Sequence, residues 1–124
     1  MQQRNFRNYK VWQDAISLVS DIYSITRTFP KLETFGLTNQ MNRAAVSIPS
    51  NIAEGSAKPT DIDFARFLDI ALGSCYELET QIVISNNLGY IQEEKYIEIT
   101  EKIISIQKQL TALSGAIRKN KTEH

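Results

Sequence analysis

Few side chains in this sequence have the types and spacing that catalysis needs. The chain contains one histidine and one cysteine, His124 and Cys75. Cys75 falls on an apolar helical row, which is typical of a buried thiol. Glu77 and Glu79 are two residues apart and point to different faces of a helix, which does not suit a paired acid and base. We therefore expect a protein that is not an enzyme and uses no metal, cofactor or small-molecule substrate.

A row of polar residues follows one face of the second predicted helix. Its members are Arg43, Ser47, Asn51 and Glu54. Residues three or four apart share a helix face, and an apolar row on the same helix lies roughly 200° away. That apolar row consists of Met41, Ala45, Ile48 and Ile52. The polar row fits either a solvated surface or a non-catalytic polar network that meets another subunit.

Helical periodicity recurs in four segments and predicts an all-α, antiparallel, up-down-up-down four-helix bundle. The helices are expected at about residues 9–28, 36–57, 61–86 and 92–119, in a single domain over residues 1–124. The connections are short, which makes neighbouring helices antiparallel. No stretch alternates between apolar and polar residues with a period of two, so no sheet is expected.

Pro49 interrupts the second helix without ending its pattern. A proline inside a helix removes a hydrogen bond and crowds the preceding turn, which costs roughly 3 kcal/mol. The apolar row nevertheless continues from Ile48 to Ile52, so we expect helix 2 to be kinked at Pro49. Gly55 and Pro59 are then expected to bracket the turn that follows.

Three linked motifs resemble a known family. They are SIPSNIAEG preceded by FPKLETFGL, the YKVW run near the start, and FARFLDIALGSCYELE. Together they resemble the small four-helix bundle proteins encoded in intervening sequences of bacterial large-subunit ribosomal RNA genes. The resemblance implies a homopentamer and no established catalytic residues. It also implies kinship with accessory proteins of diversity-generating retroelements, which bind RNA and a reverse transcriptase.

The third predicted helix carries more apolar residues than one bundle core can cover. Ile70, Val83 and Ile84 lie roughly 120°, 100° and 160° from the centre of its apolar row. Gly73, in the same helix, costs about 1 kcal/mol relative to alanine. It marks either a close approach of two helices or a tolerated surface glycine. The pattern predicts a self-associating protein with these four residues at a subunit interface, whereas five subunits follow from the resemblance alone.

The charges balance overall but cluster by position. The chain has 14 basic and 14 acidic residues. In an antiparallel bundle both termini share one end, where we expect the basic residues Arg4, Arg7, Lys10, Arg118, Lys119 and Lys121. Lys58 and Arg66 lie nearby, opposed by several carboxylates. This basic end is either a surface for RNA or a set of solvated charges.

Two functions remain open from the sequence. One is a homo-oligomeric adaptor that contacts RNA or a nucleic-acid-processing protein, and the other is a protein-only assembly module. The net neutrality of the chain favours the protein-only module, because phosphate binding depends on cationic charge. The cluster of basic residues at one end favours the adaptor that contacts RNA. No apolar run approaches the ~20 residues of a membrane span, so no membrane contact and a cytoplasmic location are expected.

Overall fold

The computed structural model describes the backbone of residues 4–122 and the side chains of residues 4–119. Four α-helices make up most of this part of the chain: α1 (Lys10–Thr26), α2 (Leu37–Ser56), α3 (Asp61–Asn87) and α4 (Glu93–Thr122). Short 3-10 turns at Phe6–Asn8 and Lys31–Glu33 precede α1 and α2. Residues 4–122 contain no strand, which confirms the predicted all-α fold with four helices.

The ends of α3 follow from local hydrogen bonding. Thr60 caps its start, because the side-chain oxygen accepts from the backbone N–H of Asp63 at 3.2 Å. Gly89 ends it with a φ of +79°, a left-handed conformation that other residues rarely adopt. The N–H of Tyr90 then donates to the carbonyl oxygen of Ser85 at 2.9 Å. Both the cap and the glycine stop were predicted from the sequence.

The four helices pack as a square in chain order. Within residues 4–122, the backbone of α1 lies close to α2 and α4, and that of α3 lies close to α2 and α4, while the backbones of the two diagonal pairs are farther apart. Hydrogen bonds join Ser47 to Ser74, and Met41 to Ser85. The residue numbers therefore fall along α3 as they rise along α2, which is the order of an antiparallel pair.

The core lies between the four helices and is formed by the apolar rows that the sequence indicates. Every helix contributes several side chains that are fully buried. They include Leu18, Ile22, Ile48, Ile52, Leu68, Leu78, Ile103 and Ile106. Each such side chain contributes roughly 1.5–3 kcal/mol by leaving water. Cys75 belongs to this core with no exposed surface, as its place on the apolar row predicts.

Helix α2 runs through Pro49 without a break. Its bounds, Leu37–Ser56, include the proline, which is buried together with Ile48 and Ile52. The apolar row therefore keeps one face across the proline. A kink at this position stays a prediction.

Gly55 lies in the last turn of α2, just before the connection to α3. It is buried, and a Cβ atom placed on it would come within 2.5 Å of the Cβ of Phe67. Real Cβ atoms do not approach this closely, so α2 and α3 can reach their observed separation only with glycine here. Gly55 is therefore a packing residue, a role that the sequence analysis did not assign to it.

None of the helices within the described range is both long and apolar enough to cross a membrane.

Candidate functional site

A small polar network joins α2 to α3. The hydroxyl oxygens of Ser47 and Ser74 are 2.8 Å apart, which is a hydrogen bond between the two helices. The amide nitrogen of Asn51 donates to the backbone oxygen of Ser47 at 2.8 Å and to its hydroxyl at 2.9 Å. No histidine or carboxylate takes part in these bonds, so neither hydroxyl has a base that would activate it. The arrangement suits a structural role.

Arg43 and Glu54, the charged members of the predicted polar row, are not part of these hydrogen bonds. Both side chains are exposed on α2. Arg43 lines a groove of about 390 Å³ together with Ser47 and with Glu77 of α3. The groove thus offers a guanidinium donor and a carboxylate acceptor to a neighbouring molecule. Contact of this row with another subunit stays a prediction.

The surplus apolar residues of α3 are exposed in the structure. Ile70 is 52% exposed, Ile84 44%, Val83 40% and Tyr76 53%. A single exposed apolar residue is ordinary, but these four residues on one helix, each within two turns of the next, form an exposed apolar patch. We refer to this surface as the outer face of α3.

The outer face of α3 consists of two rows with a spacing of seven residues, or two helical turns. Ile70, Glu77 and Ile84 form the row on the α2 side, because Glu77 lines the groove between α2 and α3. Tyr76 and Val83 form the row on the α4 side. Asp69 lies seven residues before Tyr76 and bonds to Ser114 and Arg118 of α4, which places this second row on the α4 side.

Gly73 lies between these two rows and is exposed. A Cβ atom added to it would meet nothing within 4 Å. The close approach predicted at Gly73 therefore does not occur between helices of the same chain. It occurs at Gly55 instead, and contact of Gly73 with a second subunit stays a prediction.

Arg4, the first of the predicted basic residues, is bound into the fold. Its guanidinium donates to the backbone oxygens of Ser56 at 3.3 Å and Lys58 at 2.6 Å. It also pairs with the carboxylate of Asp61 at 2.5 Å and lies 4.8 Å from the ring centre of Phe64. Because these contacts use its donors, Arg4 fixes the N-terminal segment against the α2–α3 connection.

Arg118 pairs with a carboxylate across the α3–α4 contact. Its two terminal nitrogens reach the oxygens of Asp69 at 3.2 and 2.6 Å, and Ser114 donates to the same carboxylate at 3.0 Å. The hydrogen bond from Arg118 lowers the pKa of Asp69, and the carboxylate in turn raises the pKa of Arg118. Since Asp69 precedes Tyr76 by seven residues, the Tyr76 row faces α4.

Two more of the basic residues at this end form ion pairs with acidic neighbours. Lys10 bonds Asp14 at 2.6 Å and lowers the pKa of that carboxyl group. Arg66 lies 3.4 Å from Asp63. Internal pairing therefore offsets much of the positive charge that the sequence concentrates at this end.

The remaining basic residues are less constrained by the fold. Arg7 and Lys119 are exposed, and the guanidinium of Arg7 lies 4.5 Å from the ring centre of Phe6. The ammonium group of Lys58 lies 4.9 Å from the ring centre of Phe67. The side chain of Lys121 lies outside the described residues.

The thiol of Cys75 is not available for nucleophilic chemistry. Burial, aided by the negative charge of Glu79, raises its pKa to about 12. The thiolate form that reacts is therefore scarce near neutral pH.

The sequence analysis missed the connection between α1 and α2. Leu32 is 80% exposed and Phe35 92%, more than any other large apolar side chain among the described residues. We refer to Lys31–Gly36 as the hook. Its signal was the apolar pair within FPKLETFGL, which lies just before the expected start of helix 2 at about residue 36.

Hydrogen bonds hold the hook in place. The carboxylate of Glu33 accepts from the hydroxyl of Tyr90 at 2.9 Å and from the N–H of Leu37 at 3.3 Å. The hydroxyl of Thr34 donates to the carbonyl oxygen of Lys31 at 2.7 Å. The hydrogen bond with Glu33 raises the pKa of Tyr90. Exposure of Leu32 and Phe35 is thus a feature of an ordered segment.

Comparisons with known proteins agree with this architecture. The model of a family described as 23S rRNA-intervening sequence protein matches residues 7–112. A crystal structure of a protein of unknown function from the S23 ribosomal protein family of Bacteroides thetaiotaomicron is similar, with a TM-score of 0.78 and 25% sequence identity. The similarity covers 84% of this chain and 97% of that one. No curated protein sequence matches this chain.

Proposed function

We propose that this chain, which belongs to the 23S rRNA-intervening sequence protein family, is a non-enzymatic helical-bundle module that acts by assembling with copies of itself. The outer face of α3 carries the proposal. Its apolar side chains are half exposed, and Gly73 between them leaves open space for a neighbouring helix. A pentamer is the subunit number that the family resemblance favours.

The polar row of α2 borders this assembly surface and supports the proposal. Arg43 and Glu77 lie on opposite sides of one groove. A charged pair at the rim of an interface sets the orientation of the partner more than the affinity. We therefore assign the polar row to the specificity of assembly.

Sedimentation velocity of substituted proteins tests the assembly surface. Replacing Ile70 and Ile84 by serine should shift the protein toward the monomer without unfolding it, because both side chains are already exposed. Asn51→Ala and Glu54→Ala should weaken the oligomer to a smaller degree. An oligomer that is unchanged in all these variants would refute the assignment of this surface.

RNA contact at the basic end is a second candidate function, favoured by the exposure of Arg7 and Lys119. One subunit supplies few free cations there, since Arg4, Lys10 and Arg118 are paired with carboxylates. Several copies in one assembly would raise the number of phosphate contacts. Such binding would depend little on RNA sequence, because phosphate contacts position a protein and do not specify bases.

An RNA retention assay at two salt concentrations tests this second function. Affinity for single-stranded RNA should fall by roughly 0.7 log units per tenfold salt for each phosphate contact. Arg7→Gln, Lys119→Gln and Lys121→Gln together should abolish binding while they spare the ion pairs. The control replaces Lys95 and Lys108, which are exposed on α4 away from the basic end, by glutamine. Equal RNA binding by both variants, or none by the natural protein, leaves the protein-only module.

A further inference from the structure

We propose that the outer face of α3 receives the α1–α2 side of a second copy of the chain, with the hook as the inserted element. This inference rests on the proposed self-assembly and identifies the surface that completes it. It starts from Leu32 and Phe35, which no helix of the same chain covers and which the hydrogen bonds of Glu33 hold in place.

Helix α1, which leads into the hook, carries an exposed apolar row of its own. Ile16 is 43% exposed and Tyr23 38%. The row Ile16–Tyr23 lies on the flank of α1 beside α2, since Thr26 of α1 hydrogen-bonds Asn42 of α2 at 2.9 Å and follows Tyr23 by three residues. The other flank of α1 faces α4, because Asp21 on that flank pairs with Lys102 of α4.

Helix α2 extends the same surface. Val46 is 40% exposed and follows Asn42 by four residues, so it lies toward α1. Helices α1 and α2 and the hook that connects them therefore all present exposed apolar side chains. These side chains are Ile16, Tyr23, Val46, Leu32 and Phe35.

The spacing of the two surfaces is complementary. The pair Ile16 and Tyr23 has the same seven-residue spacing as Tyr76 and Val83 on the outer face of α3. Helices that present side chains every two turns can interdigitate along their length. Gly73, which has nothing within 4 Å of its Cβ position, leaves room for a bulky side chain between the rows.

The charges also differ in sign between the two surfaces. Arg27 and Lys31 are exposed beside the hook, whereas Glu77 is exposed between Ile70 and Ile84 on the outer face of α3. Attraction between these opposite charges favours this pairing over contact of either surface with itself. A second copy of the same chain is therefore the occupant that the chemistry of the outer face fits.

The contact is head-to-tail because the two surfaces lie on different sides of the square bundle. An isologous dimer uses one surface twice and would leave the other exposed. A head-to-tail contact uses both on every copy and closes into a ring when the rotation between neighbours permits. The placement of the two surfaces thus favours a cyclic assembly.

Substitution of the hook separates this inference from the proposed function. Phe35→Ala should raise the dissociation constant of the assembly at least about tenfold, as expected for a buried aromatic anchor at an interface. The thermal stability of the single bundle should not change, since Phe35 is 92% exposed. Ile97→Ala is the matched control, because Ile97 is 50% exposed on α4 and lies on neither surface.

Cross-linking between singly substituted chains then identifies the contact. Phe35→Cys on one chain and Ile84→Cys on another should cross-link when the two proteins are assembled together, and Cys75 is buried and does not compete. Phe35→Cys with Ser105→Cys on α4 is the control pair and should not react.

Each outcome of these experiments has one meaning. A natural protein that is only monomeric refutes the proposed function. An oligomer whose dissociation constant Phe35→Ala leaves unchanged refutes the role of the hook and leaves self-assembly in place. Cross-links between two Phe35→Cys chains, or with Ser105→Cys in place of Ile84→Cys, overturn the head-to-tail pairing.

Discussion

Gly55→Ala tests how closely α2 and α3 approach each other. The added Cβ atom would lie 2.5 Å from the Cβ of Phe67 and 3.2 Å from the Cδ1 of Phe64. The Cβ of Phe67 is fixed to the backbone of α3 and cannot rotate away, so the two helices must separate. Overpacking of this kind costs typically 1–3 kcal/mol, and we expect the upper part of that range.

A gain in helix propensity offsets part of this cost. Alanine is favoured over glycine inside a helix by about 1 kcal/mol. The net loss for Gly55→Ala is therefore about 1–2 kcal/mol, or a fall in Tm of roughly 3–10 °C for a chain of this size. Gly73→Ala makes the same exchange on α3 where a Cβ meets nothing within 4 Å, so the single bundle should gain up to about 1 kcal/mol.

The two variants should be compared by urea unfolding at several protein concentrations, which separates the stability of the bundle from that of an assembly. Both substitutions gain the same helix propensity, so this gain cancels when their free energies of unfolding are subtracted. The difference that remains is the cost of overpacking, about 2–3 kcal/mol. Free energies of unfolding that agree within about 0.5 kcal/mol would show that α2 and α3 are not in close contact at Gly55.

Further changes test individual contacts. Ser74→Ala removes the hydrogen bond to Ser47 and should lower the free energy of unfolding by about 0.5–1.5 kcal/mol in a denaturant titration. Asp69→Asn should lower stability at pH 7 by about 0.2–1 kcal/mol, the range for exposed ion pairs. Folding lowers the pKa of Asp69 from its ordinary value of 3.8. The ion pair therefore contributes to the free energy of unfolding above pH 3.8, and this contribution is lost as the pH falls through the lower pKa of the folded state. The difference between the two proteins should therefore disappear in acid, and a difference that persists there would contradict the pairing. Cys75 should resist a thiol reagent at pH 8 until the chain unfolds, and rapid labelling of the folded protein would place it outside the core. Tyr90→Phe removes a hydrogen bond to the hook and should raise the rate at which the backbone amide hydrogens of the hook exchange with solvent. An unchanged exchange rate would mean that this hydrogen bond does not order the hook.

Much of the fold could be predicted from the sequence because the helical rows are long and regular. The four helices, the cap at Thr60 and the buried thiol of Cys75 each follow from local spacing or residue type. These features depend on neighbours within about one or two turns of the same helix. The prediction of surplus apolar residues on α3 depended on the same periodicity.

The contacts between helices could not be predicted in the same way. Which glycine lies at a helix contact depends on how α2 and α3 align, and the structure places the contact at Gly55 rather than at Gly73. Likewise, clustering along the chain did not indicate that Arg4 and Arg118 would be bound to Asp61 and Asp69. Both findings concern pairs of residues that are distant in sequence.

The hook was missed because the exposure of an apolar residue in a connection has no periodic signal. Phe35 lies two residues before the first residue of α2, and a phenylalanine there also suits the first turn of a buried helix. The structure shows that Phe35 is 92% exposed, in a connection that Glu33 ties to Tyr90 and Leu37.

Sedimentation equilibrium of the natural protein over a range of micromolar concentrations is the most direct measurement of the central claim. Self-assembly through the outer face of α3 predicts a discrete species whose mass is a fixed multiple of the 14.1 kDa chain. The family resemblance favours a species that contains five chains. A single species of 14.1 kDa at every concentration would contradict the account.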